Sequence, residues 1–107
     1  MTLLHPPALR TRTTFDLGGA VVSVSGELDV STADELAHTL AEIADRHPRA
    51  VIVDLAGLDF IDSSGLTVLV RARQQLDAQG GTLWLSSPTP SVLRVLEIVG
   101  LDILLLA

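Results

Sequence analysis

Apolar positions along the chain fall into short continuous runs and into stripes at helical spacing. The runs Ala20 to Ser25, Val51 to Leu55 and Thr82 to Leu85 predict strands. The middle run is compact enough to be central and covered on both faces. Arg10 to Leu17 is more polar, with Thr11, Thr13 and Thr14 supplying β-branched side chains, and predicts an edge strand. Gly18-Gly19 lets that strand reverse into the second as a hairpin.

The stripes predict three helices. Leu36, Leu40, Ile43 and Ala44 share one face of the first, which Pro48 ends. At its start, Ser31-Thr32-Ala33-Asp34-Glu35 offers two overlapping capping boxes, each hydroxyl followed three residues later by a carboxylate. Leu66, Leu69, Val70 and Leu76 mark a second helix from near Ser63 to Gly80-Gly81, where glycine can adopt the left-handed cap. Thr89-Pro90 reads as an N-cap followed by a first-turn proline, and Val92 to Val99 forms the third helix, closed by Gly100. Leu101 to Leu106 reads as a final strand or a packed tail.

The order strand, strand, helix, strand, helix, strand, helix places the chain in the α/β class. We expect a single domain over residues 10–107, behind a flexible tail at 1–9. Its mixed, mainly parallel sheet has four to five strands, with three main crossover or packing helices. A helix between the second and third strands makes them parallel. The loops Gly26 to Ser31 and Ala56 to Ser63 therefore leave the same edge, where open α/β sheets carry their functional groups.

Composition narrows the picture. A chain of 107 residues suits one domain, and 48 % hydrophobic residues with one Trp, two Phe and no Tyr imply an aliphatic core. Seven Lys and Arg against 13 Asp and Glu give a formal charge of −6, and the scattered basic residues argue against nucleic acid as a partner. The absence of cysteine removes thiolate chemistry and agrees with a reducing cytoplasm. Met1 to Pro7 is too short for a secretory apolar region, and no window approaches the ~20 apolar residues of a membrane span. The expectation is a soluble cytoplasmic protein.

The chemistry centres on Asp62-Ser63-Ser64-Gly65, at a predicted strand-to-helix turn. A hydrolase elbow would need a glycine two residues before the serine, which is absent here. It would also need a base, whereas His5, His38 and His47 are assigned to the tail, mid-helix and a helix end. No cysteine or paired-histidine motif points to a metal, and no phosphate-binding glycine loop occurs. Asp54, Asp59 and Asp62 read as solvated loop carboxylates more readily than as a cation site. Two readings of Ser63 remain. It is a helix N-cap, or it is a phosphate acceptor whose phosphate the free helix N–H groups would hold. The tetrapeptide alone leaves both open.

Its context favours the second. Gly26-Glu27-Leu28-Asp29, Val53-Asp54-Leu55, Phe60-Ile61-Asp62-Ser63-Ser64-Gly65-Leu66 and Val99-Gly100-Leu101 follow in an order and spacing that resemble the bacterial anti-sigma factor antagonists of the STAS domain family. The resemblance covers about residues 12 to 105. It implies a regulator, not an enzyme, that binds an anti-sigma factor with serine kinase activity and so frees a sigma factor. Phosphorylation at Ser63, with Ser64 as the fallback, would abolish that binding, and a serine phosphatase would restore it. ATP would be bound by the kinase, so no cofactor is expected on this chain. Asp29 would dock the kinase, joined by Glu27, Asp62, Ser64, Gly65 and Thr67, with Glu27 and Asp54 ranked lower because strand-end carboxylates often cap backbone turns. Thr67 departs from the second glycine found in many relatives. The alternative is a non-phosphorylated STAS scaffold, or an accessory subunit of a lipid transporter or stress-signalling assembly.

Overall fold

The computed structural model describes residues 8–106, so the expected tail lies outside the described residues at positions 1–7. Four strands form one sheet in the order β1 (Leu9–Asp16), β2 (Gly19–Leu28), β3 (Ala50–Ile61) and β4 (Thr82–Ser86). β1 and β2 form the antiparallel hairpin, while β2–β3 and β3–β4 are parallel. The crossovers are α1 (Ala33–Ala44) and α2 (Ser63–Ala78), and α3 (Pro90–Val99) follows β4. With sequential strand order, two crossovers of the same hand lie on one face, and α1 and α2 accordingly pack together.

Burial explains which face is the core. Val22 and Val24 of β2, Val51, Val53 and Leu55 of β3, and Leu83 and Leu85 of β4 are buried with Leu36, Leu40, Leu69, Leu76, Val92 and Leu96 of the helices. Ile52 and Asp54, the alternate residues of β3, are only half-buried. The expectation that β3 is covered on both faces is therefore incorrect. Its second face, shared with Val21 and Trp84, is partly open.

β2 and β3 both run further than their apolar runs predict. The register passes from Ser23–Asp54 to Ser25–Gly57 and from Gly26–Leu58 to Glu27–Phe60, so β3 carries one extra residue at each of two bulges. Burial on β3 then falls at Val51, Val53, Leu55, Leu58 and Ile61, a period of two that becomes three. That broken alternation is why residues 56–61 read as a loop. Gly26, at φ +100°, is required opposite the second bulge, because a Cβ there would collide with the Ala8 carbonyl.

Three local expectations also change. β1 begins at Leu9, which is buried and lies within the segment expected to be a tail. The run Leu101 to Leu106 forms a short 3₁₀ turn at Leu101–Leu104 and then touches β4 through a single parallel bridge between Leu85 and Leu105. Thr32 and Thr89 stand at the N-cap positions of α1 and α3, but neither side chain caps its helix. The Thr89 hydroxyl instead donates to the Leu58 carbonyl at 3.1 Å. Gly80 and Gly100 adopt positive φ after their helices, as expected.

Candidate functional site

The parallel register of β2 and β3 ends at Leu28–Ile61, so Asp29 and Asp62 are the next residues of two adjacent strands. The Asp62 N–H donates to the Leu28 carbonyl at 3.1 Å, which extends the ladder one step and ties the two loops together. The adjacency inferred from topology is thus an observed hydrogen-bonded edge.

Asp62, not Ser63, is the N-cap of α2. Its backbone is extended, and its Oδ1 accepts the N–H groups of Ser64 at 2.8 Å and Gly65 at 3.4 Å. The Leu66 N–H already bonds to the Asp62 carbonyl. Ser63 is therefore the first helical residue. It is exposed, and its hydroxyl makes no side-chain hydrogen bond among the described residues. The N-cap reading of Ser63 falls, and so does the idea that free helix N–H groups would hold its phosphate. Asp62 occupies those of Ser64 and Gly65, leaving only the Ser63 N–H itself.

Ser64 is half-buried and Gly65 is buried. Thr67 is exposed, and its hydroxyl donates back to the Ser63 carbonyl at 2.9 Å. Along α2 from Ser63, a largely apolar groove of about 400 Å³ is lined by Leu66, Thr67, Val70, Val99 and Leu101.

The Asp29 loop is more tightly built than its sequence suggests. Asp29 Oδ1 accepts the Ser31 N–H at 2.9 Å and the Ser31 hydroxyl at 2.6 Å, an Asx turn closed by a second bond. The Ser31 hydroxyl, above all, holds the Asp29 carboxyl below the usual aspartate range; burial opposes it, and the Ser31 N–H and Thr32 reinforce it. Glu27 is exposed, and its carboxylate enters no ion pair among the described residues. Asp54 lies away from this edge. Its Oδ1 accepts the Ala56 N–H at 3.0 Å inside the first bulge, the capping role ranked first for it from sequence.

Sequence reasoning missed the apolar part of the edge. Val30, next to Asp29, is 80 % exposed, and Phe60, paired with Glu27, is 48 % exposed. Two exposed apolar side chains thus accompany the acidic residues of this edge. The available signal was their position, Phe60 within one quoted motif and Val30 directly after another.

Among the described residues, no histidine or carboxylate is hydrogen-bonded to the Ser63 hydroxyl. His38 is on α1, 3.3 Å from Glu42, and His47 follows α1 at the opposite end of β3. Among the described residues there is no group of three or more His, Asp or Glu suited to a metal, and no helix is long and apolar enough to cross a membrane.

Comparison with known proteins agrees with this architecture. The profile of the STAS domain family matches residues 8–105. The anti-sigma-F factor antagonist RsfB of Mycobacterium tuberculosis is 31 % identical over 87 residues, covering 79 % of this chain and 69 % of its own. The anti-sigma F factor antagonist of Paenibacillus polymyxa is 34 % identical over 85 residues, covering 78 % and 73 %. The crystal structure of an anti-sigma factor antagonist from Mycobacterium paratuberculosis superposes with a TM-score of 0.82 at 31 % identity, covering 94 % of this chain and 85 % of that one.

Proposed function

The chain belongs to the STAS domain family, and we propose that it is an anti-sigma factor antagonist switched by phosphorylation of Ser63. Unphosphorylated, it binds an anti-sigma factor with serine kinase activity and frees the sigma factor. The kinase transfers the phosphoryl group from its own ATP to Ser63, and a serine phosphatase removes it. The chain itself is a substrate and a binding partner, with no catalytic residue and no cofactor.

The observation that carries this reading is the exposed Ser63 hydroxyl at the start of α2, which among the described residues is hydrogen-bonded neither to a base nor to its own helix. Asp29, presented on the adjacent strand end, pairs with a basic side chain of the kinase. Glu27, Asp62, Ser64, Gly65 and Thr67 complete the contact, with exposed Val30 and Phe60 contributing its apolar part. A phosphate adds about −1.5 to −2 charges beside Asp62, whose carboxylate already occupies two of the helix N–H groups. The phosphate therefore faces outward into the interface, where charge and bulk oppose docking.

Incubation with ATP and the serine-kinase anti-sigma factors of the source organism tests this. Tandem mass spectrometry should find a single phosphate on Ser63. No phosphate under conditions in which a kinase binds the chain would overturn the switch and leave a non-phosphorylated scaffold; phosphate on Ser64 would move the acceptor by one residue.

A further inference from the structure

Among the described residues, Thr32 is the one buried polar side chain, 3 % exposed, and it does not do what its sequence position suggests. Its hydroxyl turns away from α1 and into the preceding loop. Oγ1 lies 2.8 Å from the Glu27 carbonyl and 3.0 Å from the Asp29 N–H, with Asp29 Oδ1 further off at 3.3 Å. The single hydroxyl proton goes to the Glu27 carbonyl, the shortest contact, and a lone pair receives the Asp29 N–H. One side chain thus ties together the first and last residues of Glu27-Leu28-Asp29. The first turn of α1 is left without a side-chain cap as a result.

The backbone closes the same turn from the other side. The Asp29 carbonyl accepts the N–H groups of Thr32 at 3.1 Å and Ala33 at 2.8 Å. Asp29 is then held at three points: its N–H by Thr32, its carbonyl by the start of α1, and its carboxylate by Ser31. Ser31 is exposed, so an incoming basic group can replace it, whereas Thr32 is sealed from any partner.

We infer that Thr32 is a positioning residue for partner recognition, fixing through its hydroxyl the turn that presents Asp29 without itself touching the partner. This rests on the reading of Asp29 as the docking carboxylate. A preformed turn means that less order has to be created on binding.

Thr32→Val keeps the shape and removes the hydroxyl, while Thr32→Ser keeps the hydroxyl. In the isolated protein, NMR exchange of the Asp29 amide should speed up about tenfold in Thr32→Val and stay within about threefold of wild type in Thr32→Ser. Against an anti-sigma factor that binds the wild-type chain, Thr32→Val should lower affinity about tenfold, Thr32→Ser should restore it, and Thr32→Val should cost nothing further in an Asp29→Ala background. Unchanged Asp29 exchange in Thr32→Val overturns the inference. So does an unchanged affinity, or an affinity loss of equal size with and without Asp29. If no anti-sigma factor binds the wild-type chain, the proposed function fails, yet the exchange measurement still decides whether Thr32 holds the turn.

Discussion

Leu28 packs directly against Gly65. A Cβ added to Gly65 would lie 2.5 Å from Leu28 Cγ, 2.7 Å from Leu28 Cδ2 and 3.0 Å from Ile61 Cγ1. Leu28 is fully buried and immediately precedes Asp29, so this contact joins the start of α2 to the Asp29 turn without an intervening residue. Gly65 is needed for close approach, not for its dihedral freedom, since its φ lies outside the positive range.

Gly65→Ala must therefore displace the branch point of Leu28, which cannot swing aside as a flexible tip would. The expected cost is about 1–3 kcal/mol of stability, as for other overpacked core sites, measured by urea denaturation. Partner affinity should also fall, because the displacement is transmitted to Asp29. Unchanged stability would mean that the two elements are less tightly joined than the contact indicates.

Ser63→Ala should bind the anti-sigma factor within about threefold of the unphosphorylated wild type, and Ser63→Glu should bind more than about 100-fold more weakly, the size of a ~3 kcal/mol loss. Calorimetric titration of both variants checks this. Equal affinities would eliminate charge at this position as the switch.

Asp62→Ala removes the side chain that accepts the Ser64 and Gly65 N–H groups. Stability should fall by about 1 kcal/mol, with most of it recovered in Asp62→Asn, because asparagine caps comparably. The Asp62→Ala variant also frees those N–H groups for a phosphate. Phosphorylation of Ser63 should then raise the melting temperature in Asp62→Ala and not in the wild type, which calorimetric scanning of the four forms would show.

The Asp29 carboxyl is held below the ordinary aspartate range, chiefly by the Ser31 hydroxyl. Between its folded and unfolded pKa values the folded chain binds fewer protons, so its contribution to stability is present above the unfolded value, about pH 4, and is lost as pH falls through the folded one. Carbon-detected NMR titration should give Asp29 a lower midpoint than in an unstructured peptide. Ser31→Ala should move that midpoint upward, and a midpoint that does not move would remove Ser31 as the main cause.

Asp29→Ala should weaken docking while lowering the melting temperature only slightly, because it removes the carboxylate's bonds to Ser31 but leaves the backbone bonds of the turn. Titration against the anti-sigma factor, paired with thermal unfolding, separates the two effects. A lower melting temperature with unchanged affinity would recast Asp29 as a structural residue.

Much of the fold was legible because the signals are local. Helical stripes, the Gly18-Gly19 reversal and the glycines after α2 and α3 act within a few residues, and their elements stand where the spacing put them. Parallel pairing of β2 and β3 was likewise implied by the helix between them, which placed Asp29 and Asp62 on one edge. The two bulges of β3 were not legible, because a bulge is a mismatch between strands and leaves no periodicity within one of them. The open second face of the sheet escaped for a similar reason, since an apolar run does not state what covers it.

The sequence by itself determined which residues meet at this edge: the order of the elements brings Asp29, Asp62 and Ser63 together. Only the tertiary structure decided how each hydroxyl and carboxylate is used. Thr32 sits at a helix start and serves the loop before it, and Asp62 takes the capping role that leaves Ser63 free. Thr89 leaves its helix for a carbonyl on β3. The physical reason is competition: a short polar side chain has several backbone partners within reach, and the winner depends on which of them the folded neighbours leave unsatisfied.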